Sequence, residues 1–175
     1  MKPLIGTELK RFLRDYRREH PLRHDLVGLL QSVEYPYNVG SIFRLADGAG
    51  MRELVLTGIT PTPPNPTIDK VGRYKSLKVP WRYEKDAAAA VQGLKGDGYH
   101  VVAVELAEGA VPYDAYEYPE KTCLVVGHED HGVTKATLGA CDGAVFVPMY
   151  GKGRSLNVGM ALAVVVFHIV GRGTY

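Results

Sequence analysis

Three glycine-bearing segments carry the side chains from which a reaction site could be assembled. The first runs Asn38-Val39-Gly40-Ser41-Ile42-Phe43-Arg44, an amide followed six residues on by a guanidinium. The second is Gly127-His128-Glu129-Asp130-His131-Gly132, with the Glu129 carboxylate between two glycines. The third, Pro148-Met149-Tyr150-Gly151-Lys152-Gly153-Arg154-Ser155-Leu156-Asn157-Val158, ends in a hydroxyl and a second amide. Glycine lets a backbone come close to a ligand, so such loops could cradle a flat molecule through main-chain bonds. Each segment also has a plainer explanation. Asn38 and Ser155 are good helix caps, and Glu129 suits a surface turn.

Several familiar chemistries are excluded by spacing. No GxGxxG follows a strand, so the usual dinucleotide phosphate loop is missing. Tyr150 to Ser155 superficially resembles a phosphate loop but lacks the first glycine that a Gly-Lys-Ser ending requires. The histidines of His128-Glu129-Asp130-His131 are three apart rather than four, and the flanking glycines favour a loop over a metal-binding helix. No serine occupies a GxSxG elbow. Cys123 and Cys141 are the only cysteines, too few for a disulfide framework or a zinc site.

The elements that must position these segments follow from hydrophobic period and turn residues. Leu9, Phe12, Leu13 and Tyr16 predict a helix from Thr7, its cap, to about His20, ended by Pro21. Strands are expected at Leu26–Leu30, Leu54–Leu56, Tyr99–Val104, Thr122–Val126 and Ala144–Val147. Helices are expected at Ser41–Ala49, after a turn at Pro36-Tyr37-Asn38, and at Asp86–Leu94. Pro61, Pro63, Pro64 and Pro66 make residues 58–66 a long loop, of the kind that is often functional. Strands alternating with helices predict an α/β domain with a mainly parallel sheet flanked by helices. The three segments then fall at strand ends, where ligands of open α/β sheets bind. The last helix, Ser155–Val170, holds eight consecutive apolar residues from Met160 to Phe167. That is too short to span a bilayer and too apolar for a surface helix, so it is expected to be covered on more than one side, by a partner subunit or else by the sheet and other helices.

Composition agrees with one soluble, cytoplasmic domain. The 175 residues are 46% hydrophobic, carry a net charge of +2 and show no apolar signal core at the start. Charge is uneven: residues 1–24 hold seven Lys or Arg against three Asp or Glu, an excess of +4, leaving −2 for the rest. The chain therefore divides into a basic N-terminal helix extension, 1–24, and a domain at 25–175. A basic helix of this sort serves RNA contact or is merely a solvated face.

Taken in order, the three segments resemble the motifs of the TrmH (SpoU) branch of the SPOUT RNA methyltransferases, over about Asp25 to Val170. Asn38, Gly40 and Arg44 match the first motif. Gly127, Glu129 and Gly132 match the second. Pro148, Met149, Ser155, Leu156, Asn157 and Val158 match the third. The resemblance implies a C-terminal deep trefoil knot, although chains are generally unknotted. It also implies a homodimer through the C-terminal helix, an RNA substrate and no metal. The implied cofactor is S-adenosylmethionine, held by backbone around Leu106, Gly127, Val147, Met149 and Leu156. The implied product is a ribose 2′-O-methyl group on tRNA or rRNA; a non-catalytic RNA-binding protein on the same fold is the alternative. Arg44 would grip the adjacent phosphate and stabilise alkoxide charge, with Asn38 orienting Arg44 or the ribose. Glu129 would fix Arg44 or Asn157, and Ser155 with Asn157 would complete the polar end.

Overall fold

The computed structural model describes residues 1–172. Seven strands form one parallel sheet: β1 (Asp25–Gln31), β2 (Glu53–Thr57), β3 (Trp81–Glu84), β4 (His100–Val104), β5 (Val111–Pro112), β6 (Lys121–Val126) and β7 (Gly143–Phe146), in the order β3-β2-β1-β6-β4-β7-β5. Central strands of a parallel sheet are covered on both faces, so they are apolar throughout rather than alternating. Accordingly β1 is buried from Leu26 to Gln31, and β6 from Thr122 to Val126. Leu26, Leu30, Leu54, Leu56, Leu124 and Val126 face α2 (Pro36–Ala49), α3 (Pro66–Gly72) and α6 (Val158–Arg172). Val27, Leu29, Val55, Val101, Cys123 and Val125 face α4 (Ala87–Gly96) and α5 (Lys135–Ala140) on the other side. The expected α/β architecture, a parallel sheet flanked by helices, is therefore present.

Several boundaries differ from the sequence reading, and each difference has a local cause. Helix α2 begins at Pro36 rather than Ser41, because proline at the first helical position has the right φ and no N–H to satisfy. What read as a turn is thus the first turn of the helix, and Tyr35, not Asn38, is its N-terminal cap residue. Helix α1 spans Gly6–Glu19 with Ile5 at the cap position and no side-chain capping bond, so Thr7 does not cap it. None of its residues is buried; Leu9, Phe12, Leu13 and Tyr16 all remain exposed. Helix α6 starts at Val158, three residues later than expected, because the Asn157 side chain receives the N–H groups of Gly159 and Met160 at 3.0 and 3.3 Å. Asn157, not Ser155, is the residue that caps it.

The proline-rich stretch is structural. Thr57 and Thr60 donate their hydroxyls to the Leu30 carbonyl, and Asn65 caps α3 by accepting from the N–H groups of Thr67 and Ile68. Helix α3 exists to meet α2: a Cβ on Gly40 would lie 2.9 Å from the Ile68 carbonyl oxygen and 3.2 Å from the Gly72 nitrogen. Gly40 is therefore a helix-crossing residue and not part of a ligand cradle. Helix α6 packs beside α2 and buries Leu162, Val165, Val166 and Ile169. Its opposite side leaves Met160 and Phe167 exposed at 63% and 53%.

Candidate active site

The loops following β1, β4, β6 and β7 converge at the carboxyl ends of the strands, beside the place where strand order reverses between β1 and β6. They enclose a cavity of about 1090 Å³. Its walls include Leu106 after β4, Gly127 after β6, Val147 and Met149 after β7, and Leu156 before α6, all five of the expected cofactor residues. Asn38, Glu129, Ser155 and Asn157 also line it. Arg44 does not. It is exposed on α2, and among the described residues it makes no hydrogen bond or ion pair.

Glu129 is the centre of a cross-loop network. One oxygen, Oε2, accepts the Glu34 N–H at 3.0 Å; the other, Oε1, accepts the Tyr35 N–H at 3.3 Å and the Asn38 Nδ2–H at 2.6 Å. Asn157 Nδ2 in turn donates to Asn38 Oδ1 at 2.9 Å. The chain Glu129–Asn38–Asn157 thus joins all three motifs and ends on the first N–H groups of α6. This corrects the expected wiring: Glu129 fixes Asn38, not Arg44 or Asn157, and Asn38 is not bonded to Arg44. Burial opposes ionisation of the Glu129 carboxyl group, but the bonds from Asn38 and from the backbone of Glu34, Glu129 and Tyr35 prevail. They hold it below its usual carboxylate range and keep it charged.

The Glu129 loop is shaped by contacts that local spacing did not reveal. A Cβ at Gly127 would run into the backbone of Gly132 and Val133, so only glycine lets this loop close on itself. His128 and Gly132 exchange backbone bonds across it. Glu105, just beyond β4, anchors its far side by accepting the Val133 N–H at 2.9 Å. His128 Nδ1 accepts the Asp130 N–H at 3.0 Å, which assigns the proton to Nε2, 3.3 Å from the Glu34 carboxylate. Sequence reasoning missed Glu34, Tyr35, Tyr37 and Glu105 as cavity or loop-fixing residues. The available signals were a carboxylate at a strand end and two tyrosines ahead of Asn38. Ser155 lines the cavity and has no hydrogen bond among the described residues.

The cavity fits S-adenosylmethionine in size and in lining. It offers strand-end backbone, the side chains of Leu106, Val147, Met149 and Leu156, and polar residues that include Glu105, Glu129 and Asp130 along its wall. Comparison with known proteins agrees. A sequence profile of the SpoU rRNA methylase family matches residues 25–167. The chain belongs to that family. Among its SpoU relatives, the tRNA (guanosine(18)-2′-O)-methyltransferase of Thermus thermophilus is 34% identical over 151 residues, covering 86% of this chain and 75% of the relative. The 23S rRNA (guanosine(2553)-2′-O)-methyltransferase of Bacillus subtilis is 34% identical over 143 residues, covering 82% and 57%. The AdoMet-bound rRNA methyltransferase of Sinorhizobium meliloti superposes with a TM-score of 0.80 at 25% identity, covering 90% of this chain and 60% of that one. The SpoU fold is thus shared nearly throughout, although this chain spans under two thirds of the latter two proteins.

Proposed function

We infer that this chain is an S-adenosylmethionine-dependent RNA methyltransferase acting on a ribose 2′-hydroxyl of tRNA or rRNA. The observation that carries the reading is the Glu129–Asn38–Asn157 network, which unites the three family motifs along one cavity. When bound, S-adenosylmethionine supplies an electrophilic methyl group. The chain's part is to hold the two reactants in line and to stabilise charge on the ribose oxygen.

Leu106, Gly127, Val147, Met149 and Leu156 hold the cofactor. Asn38, oriented at both ends of its amide, keeps one N–H for the ribose. Asn157 relays that orientation to α6, and Ser155 adds a hydroxyl at the same end. Arg44 grips a phosphate next to the target ribose and stabilises developing alkoxide charge. A guanidinium with a pKa above about 12 is no base, so proton removal passes to the phosphate. Its exposure on α2, seven residues beyond the cavity-lining Tyr37 and hence on the same side of the helix, supports that role.

The working unit is a homodimer in which a second copy covers Met160 and Phe167 of α6. That helix packs beside the one carrying Asn38 and Arg44. The C-terminal part forms the trefoil knot of the family, residues 1–24 are an extension on the domain that follows, and the enzyme works in the cytoplasm. No helix among the described residues is long and apolar enough to cross a membrane. The experiment is nucleoside mass spectrometry of total RNA from a deletion strain, followed by mapping of the affected position. Loss of one 2′-O-methyl nucleoside, restored by the gene, supports the reading. An unchanged profile beside retained RNA binding would favour the non-catalytic alternative.

A further inference from the structure

Tyr35 and Tyr37 bracket Pro36 at the entrance to α2, immediately ahead of Asn38. Both residues line the cavity, yet they remain 50% and 63% exposed. Among the described residues neither hydroxyl has a hydrogen-bond partner, and neither ring stacks on another. Tyrosines used in packing behave otherwise here: the Tyr118 hydroxyl donates to the Tyr113 carbonyl, and Tyr116 bonds His100 at 2.7 Å. The backbone beneath the two rings is nevertheless stiff. The Tyr35 N–H is tied to Glu129, and Pro36 restricts both its own φ and the residue before it. Two half-exposed tyrosines therefore stand on a fixed backbone at the polar end of the site, with no ring or hydroxyl partner among the described residues.

We propose that Tyr35 and Tyr37 are a stacking platform for an unpaired nucleobase at the methylated nucleotide; this rests on the RNA methyltransferase reading above. A ribose whose hydroxyl reaches Asn38 carries its base past the same helix entrance. A base still stacked in a duplex could not follow its sugar into a recessed network, so the nucleotide enters unstacked. Aromatic faces replace the stacking that is lost, and they accept any base because every base has a π-face. Arg44 lies on the Tyr37 side of α2, about 10 Å further along the axis, close enough for one nucleotide's base and a neighbouring phosphate to be held together. The platform supplies affinity, not sequence choice.

The test uses the full chain with Tyr35→Ala, Tyr37→Ala and the matching phenylalanine variants. Half-saturation is measured for methylation of total RNA from a deletion strain, and direct binding by anisotropy of a fluorescein-labelled single-stranded oligoribonucleotide. Cofactor titration and light scattering accompany both. Each alanine variant should weaken RNA half-saturation and binding by about five- to a hundredfold. Cofactor affinity and oligomer mass should not change, and phenylalanine should restore wild-type behaviour. Unaltered RNA binding by the alanine variants would overturn the proposal. So would dissociation of the oligomer, which would assign the rings to a subunit contact, or a phenylalanine variant as weak as alanine. If the wild type methylates nothing but the alanine variants still lose oligonucleotide binding, the function reading fails, and with it the link to a methylated nucleotide, while base stacking on the two rings is supported.

Discussion

Glu129 shows how much a single carboxylate can organise. Three donors from two parts of one loop and helix entrance converge on it, and no local pattern links residues 91 apart in sequence. The motif residues themselves were legible because their types and order are unusual. Their wiring was not, since a carboxylate has no preferred partner until the fold brings one near. Glu129→Ala leaves those donors unsatisfied and should cost about 1–3 kcal/mol, read as a lower urea midpoint. The pH dependence has a definite sign. Because the folded-state pKa of Glu129 lies below its ordinary value, its stabilisation is present above that ordinary value and is lost as pH falls through the folded one. Wild type and Glu129→Gln should therefore differ most near neutrality and converge in acid. A gap that widens as pH falls would contradict this.

At the scale of elements, the long and strongly patterned pieces were readable. Strands β1, β4 and β6 announced themselves as apolar runs, which is what burial on both faces of a parallel sheet demands. The missed pieces, α3, α5, β3 and β5, are two to seven residues long and exist through tertiary partners rather than periodicity. Helix α3 illustrates this, meeting α2 through the glycine crossing at Gly40 and Gly72. Gly40→Ala should push on α3 backbone and destabilise by about 1–3 kcal/mol, measured by urea unfolding. An unchanged midpoint would show that α3 yields freely. Helix α6 separates packing from assembly. Val165 is fully buried inside the chain, so Val165→Glu should give misfolded or insoluble protein. Phe167, half-exposed, should instead yield a folded monomer when changed to glutamate, seen by light scattering with circular dichroism. A wild-type chain that is monomeric at micromolar concentration would refute the dimer.

For the whole molecule, α1 stands out in charge and burial: it holds four arginines and none of its residues is buried. Since no α1 residue is buried, deleting residues 1–19 should leave the thermal midpoint and cofactor affinity near wild type. A fall of several degrees would instead place that helix within the folded core. The domain should bind S-adenosylmethionine equally well with and without chelator, as measured by calorimetry, because backbone and side chains alone form the expected cradle. Arg44 ties this scale to the chemistry. Arg44→Ala should lower single-turnover methylation about a hundredfold or more while cofactor affinity holds, and lysine should rescue poorly for want of a planar grip on phosphate.

The most direct test of the account is to incubate the purified protein with total RNA from a deletion strain and S-adenosylmethionine carrying a deuterated methyl group, then digest to nucleosides. Mass spectrometry should find the label on the ribose of one nucleoside, strongly reduced with Arg44→Ala despite intact cofactor binding. Label on a base, or no label from a properly folded protein that binds the cofactor, would contradict it.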